Sequence, residues 1–164
     1  MLDRISLEPL SLEREAEALT LVRAVFAAMV APGFSEQGCV SFNDYLDRYA
    51  FSRRDGEGFA LAAILDGVLV GVIEVVNGNH VALFFVADEC RGQGVGGRLM
   101  RQALERCGQG DTAPAALTVN ASPGSVRAYE RLGFIVAESE QERGGIRFVP
   151  MLLPFWKPEK FASA

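Results

Sequence analysis

The chain of 164 residues is poor in the residues that build metal centres and disulfide frameworks: it has three cysteines and one histidine. Cys39, Cys90 and Cys107 are odd in number and lack metal-ligand spacing. They read as three reduced thiols in a reducing compartment, and no metal is expected. Basic runs are missing as well. With a formal net charge of −5, the chain suits neither nucleic acid nor an anionic membrane as a partner. Asp3, Arg4 and Glu8 interrupt the N-terminal apolar residues, so no signal peptide is visible, and no window approaches an uninterrupted membrane span. A cytoplasmic location is the expectation. What is present is 49% hydrophobic and 23% charged residues, a composition that folds rather than staying disordered. At this length a single domain over residues 1–164 is expected, burying about two-thirds of its unfolded surface.

The informative stretch runs from Leu83 to Met100. It reads as an apolar strand ending at Val86, a polar break, a glycine-rich loop, and an amphipathic helix. Val95, Leu99, Ala103 and Cys107 recur every fourth residue, with Met100 and Leu104 beside them, which makes one apolar helix face. Glycines before a helix start let the backbone turn tightly and aim several N–H groups at one point. With the positive end of the helix dipole, those groups form an anion site suited to phosphate. Gly92-x-Gly94-x-x-Gly97 satisfies a dinucleotide fingerprint, but the acidic residue that reading needs at the end of the next strand is not there. Asp111 sits in a Gly/Pro loop before that strand, which ends at Asn120. A P-loop reading fails because no Gly-Lys-Ser/Thr follows.

Taken in order, Ile5 to Pro9 is a candidate first strand, and Ser11 is a candidate cap for a helix with an apolar stripe of Leu12, Leu19, Val22, Phe26 and Met29. Ala31-Pro32-Gly33 stops it. A loop from Phe34 to Gly38 follows, and Ser41-x-x-Asp44 looks like a capping box opening a second helix. Arg53 to Gly58 is a polar connection. Phe59 to Leu65, Val68 to Val76 and His80 to Val86 read as three antiparallel strands joined at Asp66-Gly67 and Asn77-Gly78-Asn79. The glycine loop and its helix lead to a strand over Ala115 to Asn120, which implies a parallel pair. Ser122-Pro123 opens a short helix through Arg131. Phe134 to Ala137 and Ile146 to Leu153 make a closing hairpin across Gly144-Gly145, with Leu152, Phe155 and Trp156 packing in the tail.

Arg91-x-x-Gly94-x-Gly96 after the strand, and Tyr129-x-x-x-Gly133-Phe134 after a later strand-to-helix turn, stand in this order one helix and one strand apart. Together they resemble the GNAT superfamily of acetyl-CoA-dependent N-acetyltransferases. The resemblance implies a single α/β domain with a mixed, mostly antiparallel sheet, helices on both faces, and a parallel pair splayed at the cofactor site. It implies acetyl-CoA as cosubstrate, its pyrophosphate held by Arg91, Gly92, Gln93, Gly94, Val95, Gly96 and Gly97. The pantetheine arm would lie in the wedge, against the backbone of Phe84, Phe85 and Val86; the Phe84 and Phe85 side chains themselves read as plain core. Ser122 stands where the family often has an asparagine that contacts the cofactor, and Asn120 can supply that contact instead. Asp88 and Cys90 depart from a frequent proline and aromatic without touching the backbone anion site.

The implied reaction is attack of a neutral primary amine on the acetyl thioester. Tyr129 matches the family tyrosine near the sulfur, which serves as general acid. For the base, Glu74 interrupts the apolar strand Val70 to Val76, and strand alternation places it with Val70, Val72 and Val76. A carboxylate there faces solvent or a cleft. His80 and Glu36 are the other candidates. The expected function is acetyl transfer to an amine of a small molecule or protein. A catalytically idle coenzyme A-binding sensor or assembly module is the alternative, and a homodimer is a candidate assembly.

Overall fold

The computed structural model describes residues 1–51, 58–109 and 114–155. The polar connection Arg53 to Gly58, apart from Gly58 itself, together with Asp111 and Trp156, lies outside them. Eight strands form the sheet: β1 (Ile5–Pro9), β2 (Phe59–Leu65), β3 (Val68–Val76), β4 (His80–Val86), β5 (Ala116–Ala121), β6 (Ile135–Val136), β7 (Gln141–Arg143) and β8 (Ile146–Pro154). Their spatial order is β1-β2-β3-β4-β5-β8-β6, with β7 on the free stretch of β8. Every pairing is antiparallel except β4 with β5. Asp66 and Gly67 both have positive φ, at 50° and 83°, as the tight hairpin between β2 and β3 demands.

Four helices cover the sheet: α1 (Glu15–Val25), α2 (Glu36–Tyr49), α3 (Val95–Cys107) and α4 (Val126–Arg131). They divide the core by face. Val95, Leu99, Met100 and Ala103 of α3 pack with Ile73, Val75, Leu117 and Phe134, and Tyr129 of α4 joins them. Ala18, Val22 and Leu46 of α1 and α2 pack on the other side with Ala60, Val72 and Leu83.

The first two helices differ from the sequence reading. Ser11 stands before a 3-10 turn (Leu12–Arg14) and makes no side-chain cap bond, and α1 begins only at Glu15. The tighter turn puts Leu12 out of phase with the α-helical face, leaving it 79% exposed. Past Val25 the helix widens into a π turn (Phe26–Val30) and then tightens into a 3-10 turn (Ala31–Gly33), so Met29 also points outward. The second helix starts earlier than the Ser41 box suggests. Ser35 is its cap, the Gly38 N–H donates to the Ser35 hydroxyl at 3.1 Å, and Ser41 lies within the helix. The continuous helical run Leu12–Gly33 is long and apolar enough to cross a membrane by length and composition, although Glu15, Glu17 and Arg23 interrupt its apolar residues. Ala18, Val22, Val25 and Phe26 on it are buried in the fold.

The closing segment is more elaborate than one hairpin. β7 and β8 turn at Gly144-Gly145, while β6 pairs with β8 at Met151 and Leu152. Cys39, Cys90 and Cys107 are free thiols, the last two buried.

Candidate active site

The site follows from how β4 leaves β5. Their parallel register holds only at His80 with Thr118 and Val81 with Val119. Beyond Val81, β4 keeps β3 as its neighbour on one side, with Phe84 opposite Ile73 and Val86 opposite Gly71. On the other side β5 has gone its own way and pairs with β8 through Ala121. A wedge opens there, bounded by Phe84, Phe85 and Val86 on one edge and by Asn120, Ala121 and Ser122 on the other. Backbone groups along such an edge require partners. A ligand with its own amides can supply them as an added strand does.

The glycine loop lies at the end of β4. Gly94 caps α3 with φ of 86°, a left-handed conformation that favours glycine, and Arg98 N–H is already bonded to Gly94 O at 3.1 Å. The N–H groups of Val95, Gly96 and Gly97 in the first turn are those left for an anion. Gly96 has a different duty. A Cβ on it would meet Phe84 Cζ at 3.1 Å and Val86 Cγ2 at 3.6 Å, so it lets α3 lie close on β4. A Cβ on Gly97 would meet nothing within 4 Å. At Gly94 the direction is taken by Leu2, whose Cδ1 lies 3.3 Å from where a Cβ would stand. Arg98 donates to Leu2 O at 2.7 Å, and Arg4 pairs with Asp66, which holds the N-terminal turn beside the loop. Side chains placed at Gly94 or Gly96 therefore meet protein first, not the anion position. Arg91 is exposed, 3.8 Å from Asp88, and the Gln93 amide donates to Glu89 O at 2.9 Å. These residues meet the chemistry of a pyrophosphate: backbone N–H donors and one exposed guanidinium.

Phe84 and Phe85 are half-buried, not plain core, and point to opposite faces. Phe84 packs with Tyr129 at 6.0 Å between ring centroids, and Tyr129 meets Phe134 edge-on at 5.3 Å. Burial raises the Tyr129 pKa, because a phenolate would lose its hydration, and the hydroxyl stays protonated. Ser122 bonds Ser125 at 2.6 Å between hydroxyls and caps no N–H with its side chain, and Asn120 is exposed.

Glu74 does not face solvent, one of the two settings the strand pattern predicts: it is 1% exposed, and among the described residues it is the one buried charged side chain. Ile73 and Val75 on either side pack against the α3-side cluster, so Glu74 turns to the other face, between Ala60 and Leu83. Val72 shares that face. Val70 does not: it packs on the α3 side, because the β2–β3 register shifts at Ala63/Ile64 and breaks the alternation. His80 lies at the closed end of the wedge, its Nδ1 2.8 Å from Thr118 Oγ1. Burial lowers its pKa. His80 opens the seven-residue β4, and Val86 at the open end is six residues on, about 20 Å along the strand. Glu36 is exposed on the first turn of α2.

A splayed parallel pair, an N–H-rich helix start at its open end and a half-buried tyrosine against the same strand define an acyl-coenzyme A transferase type of domain. The chain matches the acetyltransferase (GNAT) domain over residues 30–155 and belongs to that family. Among proteins of curated function, none matches it. Its fold is similar to that of a GCN5-related N-acetyltransferase from Rhodopseudomonas palustris, at 22% identity and a TM-score of 0.75, over 92% of this chain and 95% of that one. It is also similar to PaiA N-acetyltransferase from Thermoplasma acidophilum, solved in complex with coenzyme A, at 18% identity and a TM-score of 0.72, over 92% and 99%. A third is a spermidine N-acetyltransferase SpeG chimera from Vibrio cholerae and hSSAT, at 17% identity and a TM-score of 0.64, over 92% and 95%. The enzyme is an acetyltransferase of the GNAT type.

Proposed function

We propose that the chain transfers the acetyl group of acetyl-CoA directly to a primary amine. The observation that carries this reading is the two-residue parallel register of β4 and β5, which leaves the strand edge at Phe84, Phe85 and Val86 beside the glycine loop. In this reading Val95, Gly96 and Gly97 offer N–H groups to the pyrophosphate, Arg91 adds a charge, and Asn120 or Ser122 reaches the arm from the β5 side.

The amine nitrogen forms its bond to the acetyl carbon, the C–S bond breaks, and the electron pair leaves on sulfur. Tyr129, kept neutral by burial, donates its O–H to the developing thiolate. The amine must shed a proton before attack, and Glu74 is assigned as the base that receives it through water. Tyr129 packs on the α3 face of the sheet and Glu74 turns to the α2 face, so in this reading each proton moves on its own side. The acceptor's amine, the donor's acyl group and a cytoplasmic setting are parts of the same proposal.

Coenzyme A titrated into the protein by calorimetry should bind, and acetyl-CoA with an amine library should release free thiol. Absence of binding would remove the reading.

A further inference from the structure

The wedge has two faces, and the donor's machinery takes up one of them. On the α3 side Phe84, Tyr129 and Phe134 pack against one another. The second reactant must therefore reach the wedge from the α2 side, where Glu74 lies. There Phe85 leads into a series of rings. Phe85 lies 6.1 Å from Phe42 between centroids, Phe42 stacks on Phe26 at 4.0 Å, and Phe26 meets Phe34 edge-on at 5.6 Å. Phe26 is buried, while Phe34, Phe42 and Phe85 are partly exposed, so the series runs from core to rim. The π turn and the 3-10 turn after α1 bring this about, because the altered pitch returns Phe34 to the edge of Phe26.

A bridge closes the same face. Gly38 in α2 and Gly145 at the β7–β8 turn touch backbone to backbone; a Cβ on Gly38 would stand 2.3 Å from Gly145 O. The Ser35 hydroxyl donates to Gly145 O at 3.2 Å, and the Ser41 hydroxyl donates to Gly144 O at 2.6 Å. Since α2 packs over β4 through Phe42 and β8 lies beyond β5, this tie spans the wedge. A tie across this face hinders the surface of a folded protein more than it hinders a small molecule.

We propose that the acceptor is a small primary amine bearing one planar aromatic group, seated against Phe34, Phe42 and Phe85 beneath the Gly38–Gly145 bridge. This rests on the acetyltransferase reading and adds the substrate class to it. The test compares thiol release with 2-phenylethylamine, n-hexylamine, spermidine and a lysine-containing peptide. The kcat/KM for 2-phenylethylamine should exceed each of the others by about tenfold or more, and Phe42→Ala should erase that advantage with coenzyme A affinity unchanged. Phe34→Leu, at the rim and less costly to the fold, should cut the advantage in the same direction. A preference for spermidine, hexylamine or the peptide would overturn the proposal, as would an equal loss for all amines in both variants. If no amine releases thiol, ligand-observed NMR of 2-phenylethylamine decides. Ring signals broadened by the native protein and sharp with Phe34→Leu support the ring site, and sharp signals with both refute it. Failure of coenzyme A to bind in calorimetry counts against the acetyltransferase reading alone, since the NMR arm stands without it.

Discussion

Gly96 and Gly97 are neighbours under opposite constraints, and the difference is measurable. Gly96→Val would press on Phe84 and Val86, so it should lower stability by about 1–3 kcal/mol as overpacking does, read as a drop in Tm. Gly97→Ala, whose methyl meets open space, should leave Tm nearly unchanged. Tyr129→Phe keeps the ring contacts with Phe84 and Phe134 and removes the hydroxyl. Turnover should fall by about 10²–10⁴-fold while coenzyme A affinity holds. The same variant has a stability signature. The Tyr129 pKa is raised by folding, so above about pH 10 the unfolded chain loses its proton first and stability falls; Tyr129→Phe should flatten that fall in urea melts. His80 works in the opposite sense. Its pKa is lowered by burial, so its contribution is present above about pH 6.5 and is lost as pH drops toward the folded value. His80→Gln, which can still reach Thr118, should reduce the loss of urea midpoint between pH 7 and pH 5. Glu74→Gln should slow acetyl transfer most near neutral pH and less at high pH, where the free amine forms unaided; an equal loss at every pH would assign Glu74 to binding instead.

At the scale of elements, the start of α2 is the instructive case. A serine followed three residues later by an aspartate opens many helices, and Ser41-x-x-Asp44 has that form. The true cap is Ser35, because the helix takes in Gly38, a weak helix former, in its first turn. Gly38 is tolerated there because Gly145 lies against it, a contact that no local pattern records. Ser35→Ala should therefore cost about 1 kcal/mol as a lost cap, and Ser41→Ala should act on the hairpin tip and leave the helix itself in place. Circular dichroism and thermal melts would separate the two. The phase of α1 was similarly hidden. Spacings of three and four assume an α-helical pitch, and Leu12 and Met29 lie in turns of other pitch. β7 carries no local strand signal, because its three polar residues show no alternation.

At the scale of the whole molecule, the wedge makes a prediction of its own. If coenzyme A completes the β4 edge, amide hydrogen exchange at one or more of Phe84, Phe85 and Val86 should slow on its addition, while β2 amides stay as they were. No change there would place the ligand elsewhere. The sequence by itself determined the antiparallel run from Phe59 to Val86, since tight turns at Asp66-Gly67 and Asn77-Gly78 and continuous apolar runs are local signals. It determined the apolar face and start of α3 as well, for a 3.6-residue period and a glycine cap need no distant partner. Tertiary structure alone decided where β4 and β5 part, because divergence depends on what packs on both faces and on β8 drawing β5 away. It decided which glycine faces Phe84 and which faces space. It also turned Glu74 and Val70 to opposite sides, since one shifted register in a strand reverses every face beyond it.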